Sequence, residues 1–283
     1  MKPIFVTGAS GILGRAIVPA LSRAGLLVRQ GLRDTQKAPE AGVEAVRLDY
    51  GDPTTLGTAL SGAGGMLLMA PSLDPDAPAK LGPLVERAKD AGVSHIVFIS
   101  AFGVNHNEQA PLRIVEHLVM NSGVPYTILR PNFFMENFSA GFLAGAIKGQ
   151  NGIFLAAGDG KTSFISTEDI AAVVATAFSA PLTGQELDLT GTEALDHSEA
   201  AAVLSEVSGR QIVYHPLTEE QMEAGARAAG VPEQAIGYLM VLYGVVRAGY
   251  AAGVAGEVER VLHRRPLTFR EFAQRNAAVW KER

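Results

Sequence analysis

The chain contains no cysteine among its 283 residues. Disulfides, thiolate zinc sites and cysteine nucleophiles are therefore excluded, and the composition fits a reducing compartment. A basic field is missing as well. Asp and Glu number 29 against 24 Lys and Arg, the formal charge is -5, and the nearest approach to a basic run is His263-Arg264-Arg265. Nothing in that balance draws the protein to nucleic acid. Apolar stretches such as Ala235–Val246 fall short of the about 20 residues that a membrane-crossing helix needs. Lys2 and Pro3 lead straight into Ile4-Phe5-Val6, without the pattern of a signal peptide. The expectation is a cytoplasmic protein with no nucleic-acid and no membrane partner. Charged residues are sparse at 19%, whereas hydrophobic residues make up 47%. That excludes a disordered or coiled-coil chain and leaves ample material for a buried core. The sequence carries no internal repeat, low-complexity tract or obvious linker.

What is present in the first half is an alternation of short apolar runs with amphipathic segments. Ile4–Thr7, Leu26–Leu32, Ala45–Leu48, Gly65–Met69, Ile96–Ser100 and Tyr126–Leu129 read as strands. Ile12–Ala24, Thr54–Ser61, Ala77–Ala91 and Gln109–Asn121 read as the helices between them. This order predicts βαβ units and a parallel sheet, and runs such as Ile96-Val97-Phe98-Ile99 suit a sheet covered on both faces. Beyond about residue 131 helices dominate. They are predicted at Asn132–Lys148, Thr167–Ala177, Ser198–Val207, Thr218–Ala229, Gln234–Ala248 and Thr268–Trp280, with short strands at Glu186–Leu189 and Gln211–His215. The expected fold is α/β, a Rossmann-type doubly wound parallel sheet with a smaller, mostly helical C-terminal lobe. Residues 1–150 form the nucleotide-binding domain. Residues 151–283 form a substrate lobe that does not fold alone and returns some elements to the sheet.

The segment from Val6 to Gly14 ends the first strand and opens the first helix, with glycines at Gly8, Gly11 and Gly14. Gly8 permits the tight turn, Gly11 lets the backbone approach a pyrophosphate, and Gly14 allows close helix–strand packing. The backbone N–H groups of Ile12 and Leu13 and the Ser10 hydroxyl supply donors to phosphate at the positive end of the helix. A ribose-binding residue is due about 20 residues beyond the turn, where the sequence reads Gly31-Leu32-Arg33-Asp34. Arg33, with Lys37 a turn later, would neutralise the 2′-phosphate of NADP(H), whereas Asp34 would accept from the 2′-hydroxyl of NAD. Arg33 directly follows the last apolar strand residue, which favours NADP(H). Asp49 and Tyr50 follow the third strand, where a side chain reaches the adenine or simply caps the next turn. Met69, Ala70 and Pro71 end the fourth strand and leave room for the nicotinamide ribose.

Taken together, Thr7 to Gly14, Arg33, Asp49-Tyr50 and the run Tyr126-Thr127-Ile128-Leu129-Arg130-Pro131-Asn132-Phe133-Phe134-Met135-Glu136-Asn137 resemble the NmrA-like atypical short-chain dehydrogenase/reductases. The likeness continues through Ser166-Thr167-Glu168-Asp169-Ile170-Ala171 and the tail Arg265 to Phe272, so it spans nearly the whole chain. Within the family the chain is most similar to ergot-alkaloid-type reductases, then to quinone and triphenylmethane-dye reductases. The resemblance implies the fold and dinucleotide binding. Because the family also holds regulators that turn nothing over, it implies catalysis less directly.

Ordinary short-chain dehydrogenases carry a Tyr-x-x-x-Lys pair that protonates the product oxygen. No such pair occurs here, and the helix expected to carry it offers only Arg113, Glu116 and His117. Ketone reduction needs a proton with the hydride. Reduction of an iminium ion or a stabilised carbocation needs hydride alone, and a quinone can draw its protons from solvent. The expectation is an NADPH-dependent reductase of a bulky conjugated acceptor. Ser100 and His106 are the candidate polar groups at the reaction centre, each with an ordinary alternative as a loop-capping serine and a solvated histidine. His117, which adjoins Glu116, is read as solvated or capping. Asn132 and Phe133 are expected to wall the nicotinamide, and Phe134, Met135, Phe138, Tyr238 and Tyr243 either line an apolar substrate pocket or belong to core. The partner is then a hydrophobic or aromatic small molecule, and the protein a monomer or homodimer. Two rivals stay open: a non-catalytic NADP(H)-sensing regulator that binds a protein partner, and an epimerase or isomerase that uses bound NAD transiently.

Overall fold

The computed structural model describes residues 2–37, 43–180 and 182–281. The chain divides into two units, the first made of Met1–Pro131, Thr167–Asp188 and Arg260–Leu262, the second of Asn132–Ser166, Leu189–Glu259 and His263–Arg283. The division thus falls after Pro131, where the sequence reading puts it at residue 150, and residues 167–188 return to the first unit.

The first unit starts with β1 (Ile4–Val6), α1 (Ile12–Arg23), β2 (Val28–Leu32), β3 (Glu44–Arg47) and α2 (Thr54–Leu60). It continues with β4 (Gly65–Met69), α3 (Ala77–Asp90), β5 (Ile96–Ile99), α4 (Pro111–Met120) and β6 (Tyr126–Pro131). Next come α5 (Ala144–Gln150) and β7 (Gly152–Leu155), which belong to the second unit, and then α6 (Thr167–Ser179) and β8 (Gln185–Leu189). The large sheet has seven strands in the order β3-β2-β1-β4-β5-β6-β8. Every pair from β3 to β6 is parallel, with Val6 opposite Gln30 on one side and Leu67 on the other. The apolar runs explain the pairing: β4 and β5 are buried along their whole length, as strands covered on both faces must be. One layer packs α2, α3 and α4 over Leu56, Leu68, Leu84, Phe98 and Val115. Elsewhere in the unit α6 packs on α1. The strand order reverses between β1 and β4, and in sheets of this kind ligands bind outside the carboxyl ends of the strands at that switch point.

The later elements are α7 (His197–Ser208), β9 (Val213–Pro216), α8 (Glu219–Ala228), α9 (Glu233–Arg247), α10 (Glu257–Leu262), α11 (Phe269–Arg275) and α12 (Ala277–Lys281). In the second unit β7 and β9 form a separate two-stranded parallel sheet, whose first strand the sequence reading misses. Capping boxes at Asp196, Thr218 and Thr268 start α7, α8 and α11 where short polar residues precede Glu or Gln by three. The helix expected over Asn132–Lys148 is not there. Instead Phe134 is extended and bridges to Ile165, Met135 N–H donates to the Ile165 carbonyl, and only Met135–Phe138 forms a helical turn before α5. Pairing with a distant segment overrides the local periodicity. The core of this unit is aromatic, with Phe138 edge-on to Phe164 and Phe269 at centroid distances of 5.2 and 5.0 Å.

Candidate functional site

The end of β1 is fastened to the end of β4 by one side chain. Thr7 Oγ1 donates to the Met69 carbonyl at 3.0 Å and accepts from the Met69 N–H at 2.7 Å. Directly beyond it Gly8 takes φ 62, a conformation that favours glycine, and the Gly11 N–H closes the turn on the Gly8 carbonyl at 3.0 Å. Gly14 is demanded by packing, since a Cβ there would lie 2.3 Å from the Gly8 carbonyl oxygen. Gly11 is different. Its φ of -74 is ordinary, and its nearest internal neighbour would sit 3.4 Å from a Cβ. The fold therefore gives no internal reason for glycine at position 11, whereas close approach by an external group does. Among the described residues no side chain caps α1 and no acid lies in its first turn, so the N–H groups of the turn stay available to an anion. Ser10 is exposed and its hydroxyl is not hydrogen-bonded to the described residues, while its carbonyl accepts from Arg15 Nε at 2.9 Å.

At the end of β2, Arg33 is exposed and makes no hydrogen bond or ion pair with the described residues. Asp34 next to it accepts from the Gln36 N–H at 3.1 Å, the Asx geometry that starts the 3-10 turn Thr35–Lys37. The Lys37 side chain lies outside the described residues. Asp49 likewise accepts from the Gly51 N–H at 3.0 Å, which is the turn-capping alternative. Tyr50 packs against the core with its hydroxyl 3.5 Å from the Met69 carbonyl, and burial pushes its phenol up to about 12. Met69 is buried, Ala70 half-buried and Pro71 exposed. Gly8, Ser10, Arg33 and Met69 to Pro71 thus stand at the carboxyl ends of β1, β2 and β4.

Beside the end of β5 lies a buried ion pair, Glu116 with Arg130, that the sequence reading misses. Ser100 is buried there, beside the carboxylate of Glu116, and its Oγ completes no hydrogen bond. Glu116 is not solvated: it is 0% exposed and takes two bonds of 2.8 Å from Arg130 and one of 2.8 Å from Arg113. Arg130 also bonds Glu186. Burial pushes the Glu116 carboxyl upward, but the hydrogen bonds from Arg130 and Arg113, with the Ser100 hydroxyl beside the group, outweigh it and hold it below the usual glutamate range. The signal was a charge on the apolar face of α4, between Val115 and Val119, matched by an arginine within the buried strand β6. His117 pairs with Glu108 at 2.7 Å on the surface, and His106 is exposed at the end of a short 3-10 turn.

The second unit redistributes the remaining expected site residues. The Asn132 amide donates to Ser163 Oγ and to the Ala251 carbonyl, both at 2.8 Å, and its oxygen accepts the Phe133 N–H. That side chain pins three segments together. Met135 and Phe138 are 1% and 0% exposed, so they are core and do not line a pocket, because the turn at Met135–Phe138 directs both inward. Phe133, Phe134 and Tyr238 are half-buried, and Tyr243 is 1% exposed with its ring 5.9 Å from that of Phe133. The sequence reading assigns nothing to His197, yet it lies buried among the rings of Phe164, Tyr214, Phe138 and Tyr243 at 5.5 to 6.2 Å. Its Nδ1 has no partner among the described residues, and burial lowers its pKa to about 4, against a small upward push from Asp196.

That burial predicts an acid-sensitive fold. Above pH 6.5, the ordinary histidine value, the ring is neutral folded or unfolded and stability does not change. As the pH falls below 6.5 the unfolded chain takes up the proton first, and the fold accepts it only near 4. Stability is lost across that window, by about 3 kcal/mol at the acid end. Urea unfolding from pH 7 to 4 is expected to show the loss in the wild type and a flatter profile in His197→Phe. Parallel profiles would show that the ring does not titrate this way.

Comparison with known proteins follows the same geometry. The NmrA-like family model matches residues 1–273. An NAD(P)H azoreductase from Xenophilus azovorans is 34% identical over 98% of this chain and 99% of its own length. Agroclavine dehydrogenase from Claviceps fusiformis is 33% identical over 98% of each chain. The crystal structure of an NADPH-dependent quinone oxidoreductase from Escherichia coli, complexed with NADPH, superposes with a TM-score of 0.82 at 26% identity, covering 95% of this chain and 98% of the other.

Proposed function

The chain belongs to the NmrA-like family, and from that premise we propose that it is an NADPH-dependent reductase of a bulky, conjugated acceptor. The observation that carries the reading is the bare N-terminus of α1 at the switch point, with a glycine at position 11 that the fold itself does not require and, at the end of β2, an Arg33 that has no partner among the described residues. This donor set suits a dinucleotide phosphate: backbone N–H groups and Ser10 for the pyrophosphate, Arg33 for the 2′-phosphate. Relatives named as NAD(P)H azoreductase, agroclavine dehydrogenase and NADPH-dependent quinone oxidoreductase support it. When bound, the nucleotide supplies a hydride from C4 of its nicotinamide.

The residues of this chain bind and orient. Thr7 locks the β1 and β4 ends into one rigid platform, and the Asx turns at Asp34 and Asp49 shape its rim. Ser100, buried at the end of β5, offers a polar side chain for an amide or an acceptor oxygen. With no Tyr-x-x-x-Lys pair in the sequence, acceptors that need hydride alone, or that draw protons from water, fit best. The test is NADPH consumption against quinones, azo dyes, cyclic iminium ions and cationic dyes, with binding titrations of NADPH and NADH. Turnover of one acceptor class with tighter NADPH binding is expected. Tight binding without turnover across the panel would instead identify a nucleotide sensor. Arg33→Ala should weaken NADPH about tenfold or more, one charge-assisted contact, and leave NADH unchanged. An equal loss for both nucleotides would take the 2′-phosphate away from Arg33.

A further inference from the structure

Helix α9 is apolar on more than the face it buries. Ile236, Tyr243 and Val246 are buried, and Leu239 and Met240 pack against the core of the second unit. Gly237, Tyr238, Val241, Gly244 and Val245 recur at helical spacing on the opposite face, with Ala248 just past its end. All six are exposed or half-buried, Val241 by 63%, and no residue from Gln234 to Val246 carries a charge. A surface helix ordinarily carries its charges on its outer face, and one that is apolar all round is covered by a neighbour. A Cβ on Gly237 would meet nothing within 4 Å among the described residues, and one on Gly244 only the tip of Arg247 at 3.7 Å. Glycine inside a helix is less stable than alanine, so the fold itself gives no reason for it at these two positions. Close approach by the backbone of another helix does.

We propose that this face docks a second copy of the chain, the two α9 helices lying antiparallel about a two-fold axis at Val241. Self-complementarity is what selects a second copy over another partner. At about 3.6 residues per turn, Gly237 and Gly244 fall on one edge of the face, and Tyr238 and Val245 on the other. An antiparallel two-fold brings like edge to like edge at mirrored heights. Gly237 then lies against Gly244 of the partner subunit, and the backbones close up along that edge. On the other edge Tyr238 covers Val245 of the partner subunit, while Val241 meets its own counterpart on the axis. The helix ends fit the same arrangement. Glu233 opens α9 and is 71% exposed, whereas Arg247 closes it, so each acidic end comes to a basic one and the macrodipoles oppose. Glu233 already pairs with Arg227, and Arg247 with Glu219. The contact thus joins two existing pairs into a chain of alternating charge. A parallel pairing would set acidic end beside acidic end. The inference is independent of the reductase reading.

A single pair of helices is a small interface, so the dimer is expected to dissociate with a constant on the order of 10 µM. Sedimentation equilibrium of the full chain, from well below to well above that concentration, measures it. Val241→Glu should raise the constant about a hundredfold or more, since two carboxylates then meet on the axis. The melting temperature of the dilute protein should hold, because that side chain is exposed. Gly237→Ala gives an independent reading. It should raise the melting temperature slightly by strengthening the helix, yet weaken association about tenfold by keeping the backbones apart. A role confined to the stability of one subunit does not produce that pair of opposite changes. A monomer at every concentration overturns the proposal, and so does a dimer indifferent to both variants, which would use another face. A monomer in which Val241→Glu raises the KM of an acceptor overturns it too, and gives the face to a small molecule.

Discussion

Replacing Arg130 with methionine is expected to destabilise the protein by about 3–5 kcal/mol, the cost of leaving a buried charge without its partner. For a chain of this size that lowers the melting temperature by on the order of 10 °C. Arg130 is 5% exposed and is the hub of the network, bonding Glu116 through both nitrogens of its fork and also holding Glu186, with Asp188 at 3.9 Å. Burial works against its charge, yet its hydrogen bonds to the carboxylates of Glu116 and Glu186 raise its pKa above the usual arginine value. Without it Glu116, which has no exposure at all, keeps only Arg113. The double variant Glu116→Leu/Arg130→Met removes both buried charges, so it should recover a good part of the loss, since a well-packed apolar pair is often as stable as an ion pair. The pH dependence has a defined sign. Glu116 is held below its ordinary 4.5 in the fold, so its contribution is present above that pH and disappears as the pH falls further. Urea unfolding of the three proteins at pH 7 and at pH 3 checks both points. Equal stability of Arg130→Met and the double variant would mean that Glu116 is solvated after all.

Why that network was not legible, while the sheet around it was, comes down to distance along the chain. The strands β1, β4 and β5 announce themselves, because residues such as Leu67 and Val97 are buried wherever the neighbouring turn places them and the apolar run is the only requirement. The glycine turn is equally local: the reasons for Gly8 and Gly14 lie within a few residues of each. Glu116 and Arg130 are separated by a turn and most of a strand, and each alone reads as a surface charge. The same holds more strongly in the second unit. Phe134 and Met135 follow a helical pattern until Ile165 arrives to pair with them, and Asn132 makes sense only with Ser163 and Ala251 in place. His197 follows an excellent capping residue, which explains why α7 starts there, but nothing near it in sequence predicts the four rings that enclose it. Local signals locate elements, and the contents of a site depend on which elements meet.

The glycine turn allows the roles of fold and ligand to be separated by two single methyl groups. Gly14→Ala puts a Cβ 2.3 Å from the Gly8 carbonyl oxygen and 2.7 Å from Ala9 Cα. Both neighbours are backbone, so the first turn of α1 has to move away from the loop. The shift is expected to cost about 1–3 kcal/mol of stability, as forced overpacking does. It should weaken NADPH by on the order of 100-fold, because a displacement of about 1 Å in a positioning element has that consequence. Gly11→Ala adds the same atom where its nearest internal neighbour is at 3.4 Å and φ is -74, so the fold accommodates it. Its melting temperature should match the wild type or rise slightly, since alanine has less backbone freedom to lose. If a pyrophosphate lies against that backbone, Gly11→Ala still loses nucleotide affinity. Calorimetric titration of NADPH beside thermal unfolding reads both quantities on the same samples. Loss of binding in Gly11→Ala at unchanged stability assigns position 11 to the ligand. Full binding there, with loss confined to Gly14→Ala, would make the turn a packing device and move the nucleotide away from it.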